Sequence, residues 1–186
     1  MTTPMSPMDY PAGATPAGDG IVVGSGPVTV DVYIDFLCPF CRQFELSAGP
    51  TLSAMVADRQ ISAVYHPMSF LDAASTTRYS SRAGAASGCA ADGGKFAEYA
   101  YALFANQPPE GGPGLGDDEL VKLGASVGLA GEAFESGLRA GRYLEWPSYV
   151  TSVATALGVT ATPTVLVGGV PVAPDGPAIA AAVSAL

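Results

Sequence analysis

Residues Val28 to Phe36 (VTVDVYIDF) alternate and are rich in β-branched and aromatic side chains. Two residues later comes Cys38-Pro39-Phe40-Cys41. This junction constrains the fold more than any other feature of the chain. The alternation predicts a strand, with Val28, Val30, Val32, Ile34 and Phe36 on one face. Thr29, Asp31, Tyr33 and Asp35 fall on the other. A helix is expected from Pro39 to about Ala57, bent near Gly49-Pro50, because an internal proline removes a hydrogen bond. Its first turn tolerates Pro39, whose missing N–H would be unpaired there in any case.

Further elements follow from the same reasoning. Ile21 to Val23 is a short strand before the turn Gly24-Ser25-Gly26-Pro27. Ile61 to His66 is a strand closed by Pro67. From Ser75 to about Gly158 the periodicity is helical, with helices expected at 75–91, through Phe96 to Phe104, from Asp117, at 131–140 and at 147–157. Acidic Asp117, Asp118 and Glu119 suit a helix start. Pro163 to Val167 is a strand, Gly168-Gly169 a hairpin turn, Val170 to Val172 the returning strand, and Ala178 to Leu186 a terminal helix. The order is β-β-α-β, a block of helices, then β-β-α. It predicts an α/β fold: one domain over 21–186, a mixed sheet with helices on its faces, and a helical insertion at about 67–158. Residues 1–20, rich in Pro, Gly, Ala and Thr, read as a flexible leader.

The charge is −9 and Lys95 and Lys122 are the only lysines. Without a basic stripe, nucleic acid and anionic membrane surfaces are poor partners. No apolar run is long enough to span a bilayer. Three cysteines, Cys38, Cys41 and Cys89, are too few for a disulfide scaffold. Together with His66, the lone histidine, they would all have to converge to give one four-ligand zinc site, so neither metal nor organic cofactor is expected.

The CxxC spacing suits redox chemistry. One helical turn brings both sulfurs into bonding range. The first sulfur lies at a helix N-terminus, where free N–H groups and the dipole favour a thiolate. Cys38 is therefore the expected nucleophile and Cys41 the resolving thiol. Half a zinc site or a structural bridge has the same spacing. The context argues for redox: a strand before, a helix after, and Thr162-Pro163-Thr164 entering a downstream strand. Proline is tolerated at a strand's first residue, and a cis bond there would set the Thr162 backbone beside the sulfurs.

Taken together, DFLCPFCRQF (Asp35 to Phe44), GKFAEYAYALFANQ (Gly94 to Gln107) and GVTATPTVLVGG (Gly158 to Gly169) resemble the DsbA-like proteins of the thioredoxin superfamily. The resemblance covers about Val28 to Leu186. It implies a thioredoxin fold with a helical insertion, a Cys38/Cys41 redox pair and a cis-Pro163 loop that holds substrate backbone. It also implies export from the cytoplasm, secreted or anchored through a segment absent here. The expected activity is protein thiol–disulfide exchange by a monomer, oxidising cysteine-containing exported proteins. A membrane quinone-linked partner that reoxidises the pair is implied by the resemblance alone. A reductase or isomerase of the same fold is one alternative, although an isomerase would need a dimerisation module. A binding or chaperone module with a structural CxxC is the other.

Two departures stand out. Relatives carry a buried acid six residues before the first cysteine, where this chain has Val32. Strongly oxidising relatives have Pro-His between the cysteines. Phe40 cannot donate a hydrogen bond, so a less depressed Cys38 pKa is expected. Phe40 is either a packing residue or an apolar contact for an unfolded substrate. Asp35 reads as a surface or loop-capping acid, with tuning of Cys38 as the lesser reading. Cys89 reads as a buried inert thiol, His66 as structural, and Trp146 as core.

Overall fold

The computed structural model describes residues 9–186. Its sheet is assembled around β2 (Val28–Ile34), whose Val30, Val32 and Ile34 are fully buried. β2 pairs in parallel with β3 (Ile61–Pro67), with Val32 opposite Tyr65. The connection between them is α1 (Pro39–Ala57), as a parallel pair requires. β1 (Ile21–Gly24) adds antiparallel to β3, and β4 (Thr164–Val167) adds antiparallel to the other side of β2. β5 (Val170–Val172) completes the order β1-β3-β2-β4-β5. Gly168 and Gly169 both have positive φ, +57° and +82°, which a tight two-residue hairpin turn demands. α7 (Gly176–Ser184) closes the chain, capped by Asp175, whose carboxylate accepts from the Ala178 N–H at 2.7 Å.

The expected mixed sheet with an inserted helical block is therefore present. The block contains a single 3-10 turn (Asp72–Ala74) and α2 (Tyr79–Asp92), α3 (Phe96–Ala105), α4 (Asp117–Ser126), α5 (Glu132–Arg139) and α6 (Trp146–Ala156). α2 starts four residues later than its sequence suggests. Arg78 is left-handed at φ 54°, which stops the helix from extending backwards. Asp72 instead holds the first turn, accepting from the Ser81 N–H and hydroxyl. α1 continues as one helix through Pro50.

Residues 9–20 depart from the expected flexible leader. Their backbone is claimed by the helical block: Trp146 Nε1 donates to the Gly18 carbonyl at 2.7 Å and the Tyr149 hydroxyl to Ala17 at 2.6 Å. The Ala12 N–H donates to Asp92, and Arg142 pairs with Asp9. Composition misleads here because the anchors are distant side chains that reach main-chain carbonyls. The expected leader's first eight residues lie outside those described. Among the described residues, no helix is long and apolar enough to cross a membrane.

Candidate active site

β2 stops at Ile34, two residues earlier than its alternation suggests. The Met68 N–H donates to the Ile34 carbonyl at 2.7 Å, and the Cys38 N–H to that of Asp35 at 3.0 Å. The chain turns, and the turn carries Cys38 to the N-cap of α1 with Pro39 as first helical residue. Cys38 and Cys41 are free thiols one turn apart. Cys38 is 5% exposed and Cys41 fully buried.

The two sulfurs are driven in opposite directions. The Cys38 thiol is lowered to about 6, chiefly by a hydrogen bond from Cys41, against the opposing effect of burial. The Thr162 side chain and the backbone N–H groups of Cys41 and Phe40 lower it further. Those N–H groups are free because the first turn of a helix has no partner for them. The Cys41 thiol is pushed far above its usual range, first by burial and then by donating to Cys38. Of the two sulfurs, the site favours the thiolate on Cys38 and the proton on Cys41.

Across from the helix, the Thr162–Pro163 peptide bond is cis, as expected for this loop. The Thr162 carbonyl accepts from Cys38 Sγ at 3.4 Å. That contact favours the protonated thiol, so the lowered pKa reflects donors that outweigh it. Phe40 is 69% exposed and does not pack into the core. With Gln43, Phe44, Thr162, Pro163 and Asp175 it lines a groove of about 420 Å³ beside the sulfurs.

Asp35 is the main correction to the sequence reading. It is neither on the surface nor on the outer strand face: it is fully buried behind the cysteines. Its carboxylate caps a loop, but an internal one. It accepts from the N–H groups of Leu37 and Leu71, both at 2.9 Å, and from the Ser80 hydroxyl at 2.6 Å. Its own N–H points to Cys41 Sγ at 3.5 Å. Burial raises its pKa to about 6 despite the three donors, and the Cys38 charge adds to the rise. The strand's alternation misplaces Asp35 because the strand has already ended. Val32, where relatives carry their acid, is buried and apolar.

Sequence reasoning also missed Gln107, whose amide donates to the carbonyls of Phe36 and Cys38 at 3.0 Å each. Arg42 Nε donates to Phe104 at 3.1 Å. Together with Asp35 these contacts fasten the redox loop to the inserted helices. Only the placement of Gln107 just after α3, where it can reach back, hints at its role.

The remaining candidates lie elsewhere. His66 is buried between the Asp19 carbonyl and the Asp31 carboxylate and stacks on Tyr33 at 4.1 Å. Trp146 packs in the core. Cys89 is buried in the last turn of α2, with its thiol raised to about 11 by burial.

Comparison with known proteins agrees with this geometry. A family model described as Thioredoxin matches residues 17–183. The disulfide bond oxidoreductase DsbG of Mycobacterium tuberculosis is 35% identical, covering 83% of this chain and 80% of its own, with a TM-score of 0.73. DsbA of the same organism, in its oxidised form, is 33% identical, covering 90% of this chain and 99% of its own, with a TM-score of 0.74. BdbD of Bacillus subtilis shares the fold at 19% identity and a TM-score of 0.75. Serine/threonine-protein kinase PknE of M. tuberculosis is 39% identical over 119 residues. The match is 59% of this chain, and the chain spans about a fifth of such curated relatives (21%). With the family model covering nearly all the described residues and two relatives above 30% identity matched over four-fifths or more of each chain, the chain belongs to the DsbA-like thiol–disulfide oxidoreductases of the thioredoxin family.

Proposed function

We propose that the protein oxidises cysteine pairs in exported proteins, outside the cytoplasm, through a Cys38–Cys41 disulfide. The observation that carries this reading is the Cys38 thiol, held at about 6 at the start of α1 and facing Thr162. A thiol that ionises readily is a good leaving group, and it stabilises the reduced form of the pair.

The reaction runs in two steps. A substrate thiolate attacks Cys38 Sγ in the disulfide, forming a mixed disulfide and expelling Cys41 as a thiolate. Cys41 takes up a proton, as its strongly raised pKa requires. A second substrate thiolate then attacks the substrate sulfur of the mixed disulfide. The substrate disulfide forms, and Cys38 leaves as the thiolate. Two electrons have passed from the substrate to the pair. If the second substrate thiol is slow, Cys41 attacks Cys38 Sγ and releases the substrate unchanged.

Thr162 and Pro163 offer backbone to an extended substrate segment, which would add as a short strand. Phe40 and Phe44 give its side chains an apolar floor. A membrane-bound, quinone-linked partner would reoxidise the pair.

The test is the equilibrium of the pair with glutathione. A net oxidant should have a potential less negative than about −200 mV. A value near about −270 mV, typical of thioredoxin, would make the protein a reductase instead.

A further inference from the structure

Phe44 and Glu45 are neighbours on α1 but face different spaces. Phe44 lines the groove formed with Phe40, Thr162 and Pro163. Glu45 lines a separate pocket of about 780 Å³, open to solvent and bordered by α1, β1, β3 and α3, with Val56, Tyr65, Glu98, Tyr101 and Val127 among its walls. The two spaces share no lining residue. This volume is in the range that small organic ligands occupy.

The wall is mostly apolar and aromatic, its polar side chains are Glu45, Glu98 and Ser53, and no basic residue lines it. Glu98 is exposed and already paired with Lys95 at 3.2 Å. Glu45 is different. It is 5% exposed, and its Oε2 has no hydrogen-bond partner among the described residues. A buried carboxylate without a donor is costly, and native structures rarely leave one so. Its burial raises the carboxyl to about 7.

Room for the carboxylate is provided in the same helix. Gly49 lies one turn on, and a Cβ there would come 3.0 Å from Glu45 Oε1. The helix accepts a glycine in its interior, which costs about 0.5–1 kcal/mol relative to alanine. No feature of the sulfur chemistry uses either residue.

We propose that this cavity binds a small organic cation: an apolar or aromatic body carrying a protonated amine, with Glu45 as its counter-ion. The ammonium supplies the missing donor to the carboxylate. Tyr65 and Tyr101, both in the wall, are aromatic neighbours of the kind that favour a cation and its hydrocarbon frame. An anion meets two carboxylates here and is rejected. A neutral ligand of the same shape leaves Glu45 buried and unpaired.

The test is a titration of the full chain with phenethylamine, followed by backbone amide resonances of nitrogen-labelled protein. Phenethyl alcohol and hydrocinnamate serve as neutral and anionic counterparts. Phenethylamine should shift Gly49, Ser53, Gly94 and Val127 saturably and leave Phe40 and Thr162 in place. Phenethyl alcohol should bind at least about tenfold more weakly, and so should phenethylamine to Glu45→Gln. The absence of saturable shifts at these residues would overturn the proposal. So would equal binding of amine and alcohol by the native chain, which needs no variant to fold. Shifts confined to the Phe40–Thr162 groove would also overturn it.

Discussion

Cys38 and Cys89 are equally hidden, each 5% exposed, yet their thiols move in opposite directions from the ordinary value of 9.0. Cys38 falls to about 6 and Cys89 rises to about 11. Burial opposes the thiolate at both sites. The difference lies in the donors available. Cys38 caps a helix whose first N–H groups are unclaimed, and it receives hydrogen bonds from Cys41 and Thr162. Cys89 sits in the last turn of α2, where the N–H groups around it are spent on the helix itself. Asp92 also pushes its thiol up. The two thiols part because Cys38 has donors, Cys41 first among them and the helix-start N–H groups after it, that outweigh its burial, while burial at Cys89 goes unanswered.

The largest expected effect follows from removing each sulfur in turn. Cys38→Ser should abolish exchange with a dithiol peptide, and Cys89→Ala should leave the rate unchanged. Cys41→Ser, offered the same peptide in its disulfide form, should stop once Cys38 has opened that bond, and should accumulate the mixed disulfide on Cys38, visible by mass. A Cys38→Ser protein that still exchanges would erase the distinction between the sites.

Labelling of the reduced protein gives a smaller, graded contrast. At pH 7 the Cys38 thiolate fraction exceeds that of Cys89 by about four orders of magnitude. The lower pKa also makes each Cys38 thiolate less nucleophilic, which returns about two and a half orders over five pKa units. A haloacetamide should therefore modify Cys38 at least about 30-fold faster, with limited access slowing Cys89 further. Equal rates would show that helix-start donors do not govern reactivity.

The effect on stability is the smallest and depends on pH. The folded state depresses the Cys38 pKa, so its contribution is fully present above 9.0 and is lost as pH falls through about 6. Between those values the unfolded chain binds one more proton than the folded one. The reduced protein should gain about 1.4 kcal/mol of stability per pH unit across this window, relative to the oxidised protein, in which the thiol does not exist. Chemical denaturation of both forms at pH 6 and 8 measures it. Parallel pH dependence of the two forms would remove Cys38 as the source.

Much of this was legible in the sequence. The alternation of β2, the CPFC turn and the TPT entry to β4 point to the sheet centre and to the juxtaposition of Cys38, Cys41 and Thr162 because each rests on local backbone chemistry. What escaped is tertiary. Asp35 turns inward because its strand ends at Ile34, and its three donors come from as far away as Ser80. Gln107 holds the redox loop from across the insertion. Residues 9–20 are ordered by Trp146 and Tyr149, more than a hundred positions downstream. Glu45 occupies a helical position that a polar residue would normally take facing water. Only the packing of α3 and β3 against α1 shows that it is enclosed.

The account stands or falls on the charge of Cys38. Thiolate formation in the reduced protein can be followed directly by ultraviolet absorbance as pH is raised. One thiol should ionise with a midpoint near pH 6, and that transition should vanish in Cys38→Ser while remaining in Cys89→Ala. A first midpoint near the ordinary thiol value of 9.0, or a transition that survives in Cys38→Ser, would contradict the assignment of Cys38 as the activated sulfur.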